Sequence, residues 1–352
     1  MQFITEFGTL ILTLYLALTN GLASYVLQLE NTPTEAPSSG SALQRLESNY
    51  SVIPDILLTD RAFQQANVGA ALGEDAPRYT PEEATVNIFC TYRTDELMKT
   101  TTGSGFFVSP NGAILTNAHV AQFLLLEHSS REGETDCIIR TGSTATATYE
   151  AELLYIPPAW ISEHANLIDA EVPRGTGERD YALLYATASL NETPMPARFP
   201  HLRPDAQSLS LNNRGDAVIA SGYPAQPLYD NGADAPLTQQ NASTVITDIF
   251  TFSGDTADLI SLSESVVSAG GVSGGPVTNN TGDAMAVVVT RGESERDSLR
   301  AITTAYIDRT IREETGFGLA EYVRGDLSVR AAVFKEALAP FLLQLLEFEL
   351  RE

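Results

Sequence analysis

Gly271-Val272-Ser273-Gly274-Gly275-Pro276 sets one serine hydroxyl among residues small enough for a substrate backbone to lie against it. A serine is a poor nucleophile at neutral pH, so this loop needs a base to take its proton and a third group to orient that base. Both are found upstream. Thr116-Asn117-Ala118-His119-Val120 carries a histidine at the end of an apolar run, and Arg179-Asp180-Tyr181-Ala182-Leu183-Leu184 opens a strand-like segment with an aspartate. Singly, each has a plainer reading: a packed histidine, a strand-entry cap, a serine in a glycine-rich turn. In this order they form one constellation, with Ser273 as nucleophile, His119 as base and Asp180 as its orienting partner. The tetrahedral intermediate of such chemistry carries a negative oxygen, for which the backbone N–H groups of Gly271 and Ser273 are the natural donors.

The same glycine-serine pattern fits the nucleophile elbow of α/β-hydrolases, but that fold orders its triad with histidine last. No histidine follows His201, so the elbow lacks its base. His128, His164 and His201 stand in polar, loop-like contexts and receive no role. Four scattered histidines and two cysteines offer no metal-ligand spacing, and no cofactor is implied.

The chain has 352 residues and a formal net charge of -24. That balance argues against nucleic acid as a partner, because phosphate binding needs a concentrated positive field. Residues 7–29 run without a charge, long enough to span a bilayer. They read as an N-terminal transmembrane helix, a membrane anchor without a basic flank, and Gly21-Leu22-Ala23 leaves a cleaved signal segment open. Either way the remainder lies outside the cytoplasm, periplasmic or extracellular: tethered to the cell membrane by a single pass, or secreted. Pro33, Pro37 and the Ser38 to Ser41 cluster mark a tether. Residues 43–46 and 56–72 read as short helix-like pieces, a spacer or a pro-segment.

From residue 84 the pattern turns to strands. Residues 84–91, 104–109, 113–117, 136–140, 146–156 and 180–185 give six short runs. Residues 216–221, 243–252, 259–262, 277–278, 284–290 and 300–303 give six more, beyond a proline-rich connection at 194–204. Two sets of six predict an all-β fold of two tandem six-stranded antiparallel β-barrels, since closure removes exposed edges. Residues 307–315 and 328–352 read as C-terminal helices, the second strongly apolar and expected to dock on the barrels. The organisation is a membrane or signal segment at 1–29, a linker or pro-segment at 30–83, a catalytic domain at 84–316 with its internal boundary near 190–213, and a helical extension at 317–352.

Gly103-Ser104-Gly105-Phe106-Phe107-Val108, Leu115-Thr116-Asn117-Ala118-His119-Val120, Asp180-Tyr181-Ala182-Leu183-Leu184, Gly222-Tyr223-Pro224 and Gly271-Val272-Ser273-Gly274-Gly275-Pro276 together resemble the trypsin-like serine proteases. The bacterial HtrA-like branch is the nearest in flavour, without room in 36 trailing residues for a PDZ module. The resemblance covers roughly residues 84–316 and implies hydrolysis of polypeptide substrates in a cleft between the barrels. It implies neighbouring strands for Cys90 and Cys137, hence a disulfide in an oxidising compartment, with two buried thiols as the alternative. By the family's pattern the primary pocket has Val267 at its base with Ser268 beside it, and walls from Thr290, Arg291, Gly292 and Ala301. With no acidic residue at that base, small or medium apolar side chains are expected rather than Lys or Arg. Val272 stands where digestive members carry an aspartate that pairs with a freed N-terminus, so activation of that kind is not expected. The other reading is a binding or chaperone-like protein that keeps the protease fold without catalysis. The oligomeric state is open.

Overall fold

The computed structural model describes residues 44–45, 56–66, 77–93, 98–129, 133–168, 176–192, 194–207, 209–290 and 299–349. The apolar run at 7–29 and the proline-serine tether lie outside them. Among the described residues no helix is long and apolar enough to cross a membrane.

A two-residue strand, β1 (Gln44–Arg45), and two helical turns, α1 (Ile56–Thr59) and α2 (Arg61–Gln65), come first. The helix-like reading of 43–46 is corrected here: Gln44 and Arg45 pair in parallel with Phe250 and Thr251 on a barrel edge. Asp60 breaks the reading of one helix from residue 56, because its carboxylate caps α2 by accepting from Phe63 N at 2.8 Å. A capping box between Thr80 and Glu83 starts α3 (Pro81–Ala84).

The first barrel follows: β2 (Thr85–Arg93), β3 (Met98–Phe107), β4 (Ala113–Thr116), helical turns α4 (Ala118–Ala121) and α5 (Phe123–Leu126), β5 (Glu134–Thr141), β6 (Thr146–Tyr155), helix α6 (Pro158–His164) and β7 (Ala182–Ser189). Its strands close in the order β2-β3-β4-β7-β6-β5. On β2 the period of two sends Val86, Ile88 and Cys90 into the core. Cys90 lies opposite Cys137 on β5, and their disulfide pins the seam where the barrel closes.

The second barrel comprises β8 (Ala217–Gly222), the short helix α7 (Gln226–Asn231), β9 (Gln240–Thr251), β10 (Leu259–Leu262), β11 (Pro276–Thr278), β12 (Ala284–Thr290) and β13 (Leu299–Thr303). It closes as β8-β9-β10-β13-β12-β11, with β1 as an added edge on β9. Counting strands within each barrel, both follow the order 1-2-3-6-5-4, a repeat invisible by eye in the sequence. The predicted pair of six-stranded barrels is thus present, each around an apolar interior.

Beyond β13 run α8 (Thr304–Thr315), α9 (Leu319–Tyr322), α10 (Leu327–Val333) and, after one wide π turn, α11 (Ala339–Glu349). The expected docking of the tail is observed, although the helix read from 328 is divided. Leu342 and Leu346 on α11 are fully buried against α5 and α6. Phe63, Phe317 and Tyr322 enclose the guanidinium of the fully buried Arg330, with ring centroids 5.4, 4.6 and 4.5 Å away. Arg330 Nη1 donates to the Tyr322 carbonyl, and Ala66 O accepts from Asp326 N at 2.7 Å. The N-terminal turns and the tail therefore clasp one another.

Just beyond α5, Glu127 accepts from Cys137 N at 2.8 Å. Burial pushes its carboxyl from 4.5 up to about 7, with Asp136 and Glu152 adding to the rise against the Cys137 bond and Lys335. Between those values the unfolded chain is ionised there and the native chain is protonated, so this group makes stability fall as pH rises from 4.5 through about 7. Glu127→Gln keeps an oxygen for Cys137 N and removes the titration. Urea unfolding at pH 5 and pH 8 is expected to show the variant free of this decline, a difference on the order of 2 kcal/mol at pH 8.

Candidate functional site

Strand β4 carries the chain to the site and stops at Asn117, whose side-chain amide donates to the Asp180 carbonyl at 2.8 Å. Two residues on, the His119 ring and the Asp180 carboxylate meet: Nδ1 lies 2.7 Å from Oδ2, and His119 N donates to Oδ1 at 3.0 Å. Both carboxylate oxygens are thereby used, which fixes the imidazole with Nδ1 protonated and leaves Nε2 as the basic nitrogen. Asp180 is 4% exposed, so the charge-assisted bond is shielded from water. Its position before β7 is held by Asp180 N donating to Gly177 O at 3.2 Å.

The serine loop reaches this corner through Ser104 on β3. Ser104 N donates to Ser273 O at 2.7 Å, Ser104 Oγ donates to Gly271 O at 2.8 Å, and Tyr223 N donates back to Ser104 Oγ at 2.9 Å. The Ser104 carbonyl accepts from Thr116 Oγ1 at 2.7 Å, three residues before His119. The sequence motifs around Ser104, Thr116 and Tyr223 flagged these segments, but not that one buried serine joins all three.

The two backbone N–H groups expected to receive an oxyanion, those of Gly271 and Ser273, are set by a neighbouring bond. Gly270 O accepts from Ala225 N at 2.7 Å; in a trans peptide the following N–H points the opposite way, so Gly271 N–H faces away from Ala225. Among the described residues neither Gly271 N nor Ser273 N donates to another backbone group. Gly271 has φ +89°, and a Cβ there would stand 2.6 Å from Tyr223 O. Gly274, also at φ +89°, lies so close to β3 that a Cβ would fall 1.9 Å from Ser104 O and 2.4 Å from Thr116 Oγ1. The Ser273 hydroxyl donates to Val289 O on β12 at 3.3 Å, the bond it makes among the described residues.

The residues expected at the pocket sit in the second barrel. Val267 and Ala301 are 1% and 0% exposed within one apolar cluster. Ser268 is half-buried, its hydroxyl accepting from Ser265 N at 3.1 Å. The Thr290 backbone pairs with Arg300, and Arg291 and Gly292 lie outside the described residues. Of the unassigned histidines, His128 is exposed in a turn and His201 lies in a loop but is buried, its ring tilted against Tyr79 and its Nδ1 bonded to Phe199 O; His164 departs from the loop-like reading, closing α6 and stacking on Trp160.

Flanking Asp180, Arg179 pairs with Glu314 of α8, and Tyr155 Oη donates to the same carboxylate at 2.5 Å. Burial first, then Glu314, raises the Tyr155 and Tyr181 phenols well out of the physiological range. For Arg179, burial works against the cation but is outweighed by Glu314 together with Tyr181, Tyr306 and Tyr155, so the guanidinium stays charged.

The family model described as "Trypsin-like peptidase domain" matches residues 103–287. No curated protein matches the chain. Among solved structures it is similar to the active form of the Rv3671c protease from M. tuberculosis, at 17% identity and a TM-score of 0.42 over 81% of this chain and 95% of that one. The inactive form of the same protease matches at 20% identity and a TM-score of 0.39, covering 66% and 89%. Deg5 matches at 17% identity and a TM-score of 0.41, covering 66% and 87%.

The packing at Gly274 predicts that Gly274→Ala displaces the serine loop from β3. The expected outcome is a loss of about 3 kcal/mol in denaturant unfolding, together with loss of any reaction at Ser273 toward a fluorophosphonate.

Proposed function

Because the chain belongs to the trypsin-like peptidase family, we propose that it is a serine endopeptidase whose triad is His119, Asp180 and Ser273. The observation that carries this reading is the shielded 2.7 Å bond from His119 Nδ1 to Asp180, beside a serine loop bonded to Ser104, whose carbonyl is bonded in turn to the strand that leads to that histidine. In the first step the Ser273 hydroxyl turns from Val289 O toward Nε2 and attacks the scissile carbonyl as His119 takes its proton. Asp180 holds the tautomer and stabilises the imidazolium. The N–H groups of Gly271 and Ser273 receive the oxyanion, where each such donor typically contributes about 2.7 to 4 kcal/mol to lowering the barrier. His119 then protonates the leaving amine, and water repeats the sequence on the acyl-enzyme.

The catalytic unit is inferred to span residues 84–316. Val267, the apolar residue read as the pocket base, with Ser268 beside it, supports a preference for small or medium apolar side chains. The uncharged run at 7–29 supports a membrane tether with the catalytic part outside the cytoplasm, and the Cys90–Cys137 disulfide suits an oxidising compartment.

A second reading, a binding protein that keeps the fold without catalysis, is favoured by one observation: the Ser273 hydroxyl is engaged with Val289 O rather than with the imidazole. A fluorophosphonate separates the two. The peptidase reading expects an adduct on Ser273 and, in His119→Ala, turnover reduced about ten-thousandfold or more. An unlabelled Ser273, with His119→Ala indistinguishable from wild type, would sink it. On a peptide library, kcat/KM is expected to be highest after small or medium apolar residues, and highest values after Lys or Arg would reject the pocket assignment.

A further inference from the structure

Asp180 stands between two residues that are both fastened to helix α8. On one side Arg179 has φ +55°, a left-handed conformation that residues with a Cβ seldom adopt. Its backbone N donates to Tyr306 Oη at 3.1 Å, and its guanidinium pairs with the Glu314 carboxylate. On the other side Tyr181 Oη meets Thr310 Oγ1 at 2.8 Å. Tyr306, Thr310 and Glu314 follow one another at intervals of four, a single stripe along α8. This stripe is aimed at the aspartate loop with polar tips where a packing face is ordinarily apolar. Glu314 is itself braced by Tyr155 Oη from β6.

Strain in a loop persists only where its surroundings over-determine it. Here the surroundings are the helix that leaves the second barrel, and the strained residue is the neighbour of the group that orients the histidine. We propose that Glu314 is a positioning residue: through its pair with Arg179 it holds the Arg179 backbone, sets Asp180, and so fixes the His119 ring. This rests on the reading of Asp180 and His119 as orienting group and general base. It makes the rate of the chemical step depend on a carboxylate 134 residues away in the sequence that touches neither substrate nor histidine.

The test uses the full chain, with Glu314→Ala, Glu314→Gln and, on the exposed side of the same helix, Arg312→Ala. Four quantities are read: kcat per titrated active site, KM, Tm, and the far-downfield proton resonance of His119 Nδ1. Glu314→Ala is expected to lose about ten- to a hundredfold in kcat with KM within about twofold, and to lose or move the Nδ1 resonance. Glu314→Gln, which still accepts from Tyr155 but no longer pairs a charge, should fall between. Arg312→Ala should lower Tm alone. A second signature comes from Arg179: glycine adopts φ +55° without strain, so Arg179→Gly should recover part of the kcat that Arg179→Ala loses. Wild-type kcat and an unmoved resonance in Glu314→Ala, with only Tm reduced, would overturn the proposal. If Glu314→Ala does not fold, Glu314→Gln decides by the same two readouts. Should the wild-type chain neither react with a fluorophosphonate nor cleave peptides, the peptidase reading fails by itself. The Nδ1 resonance of the variants then still decides whether Glu314 sets the His119 and Asp180 pair.

Discussion

Four hydrogen bonds converge on the backbone and hydroxyl of Ser104, a residue with no solvent exposure. Through them the first barrel holds the serine loop, the segment after β8 and the strand that delivers His119. Inside a protein such bonds are strengthened by the low local dielectric, and an unmade one exposes its partner to the full cost of desolvation. The alternative to this arrangement is several orphaned polar atoms at the barrel junction. The junction is therefore specified by polar satisfaction, while the barrels on either side of it are specified by apolar burial.

Helix α8 supplies the complementary constraint. It begins where β13 ends, with Thr303 Oγ1 accepting from Tyr306 N at 3.1 Å as its cap. Along its length it returns to the first barrel, reaching Tyr155, Arg179 and Tyr181. Arg309 on the same helix pairs with the buried Asp258 at 2.7 Å, whose carboxylate also accepts from Thr251, Phe252 and Thr256. One helix thus carries a charge pair into each barrel. Helix and serine loop cross the junction in opposite directions, so neither barrel can turn against the other without breaking buried bonds.

The strands were legible because their chemistry is local. Leu259–Leu262 and Ala284–Thr290 are apolar runs bounded by turn residues, and their ends were readable to the residue. His119, Asp180 and Ser273 stood out in the sequence by their small-residue surroundings, and the structure brings the first two side chains together, with the Ser273 loop bonded to Ser104 nearby. The 1-2-3-6-5-4 strand order common to both barrels was not, because it lives in backbone pairing while the side chains that fill a barrel interior are interchangeable. Helices α4, α5 and α6 were missed for another reason: they are four to seven residues long, and α6 opens on two prolines after an apolar strand. Such turns are set by packing more than by propensity. The pairing of Arg179 with Glu314 was hidden by distance along the chain, since the adjacent Glu313 and Glu314 near a helix end read as ordinary surface charge.

The cage around Arg330 has a mechanical meaning. Phe63 belongs to the segment that follows any upstream tether, whereas Phe317, Tyr322 and Arg330 belong to the helical tail. A pull on the N-terminal side of the protein first meets the two-residue pairing of β1 with the edge of β9, then the clasp, and only after both the strand β2. There the load falls on three rings, one guanidinium and the Ala66 carbonyl. Once the short β1 pairing has given way, the clasp is what stands between the leading segment and the strands of the first barrel.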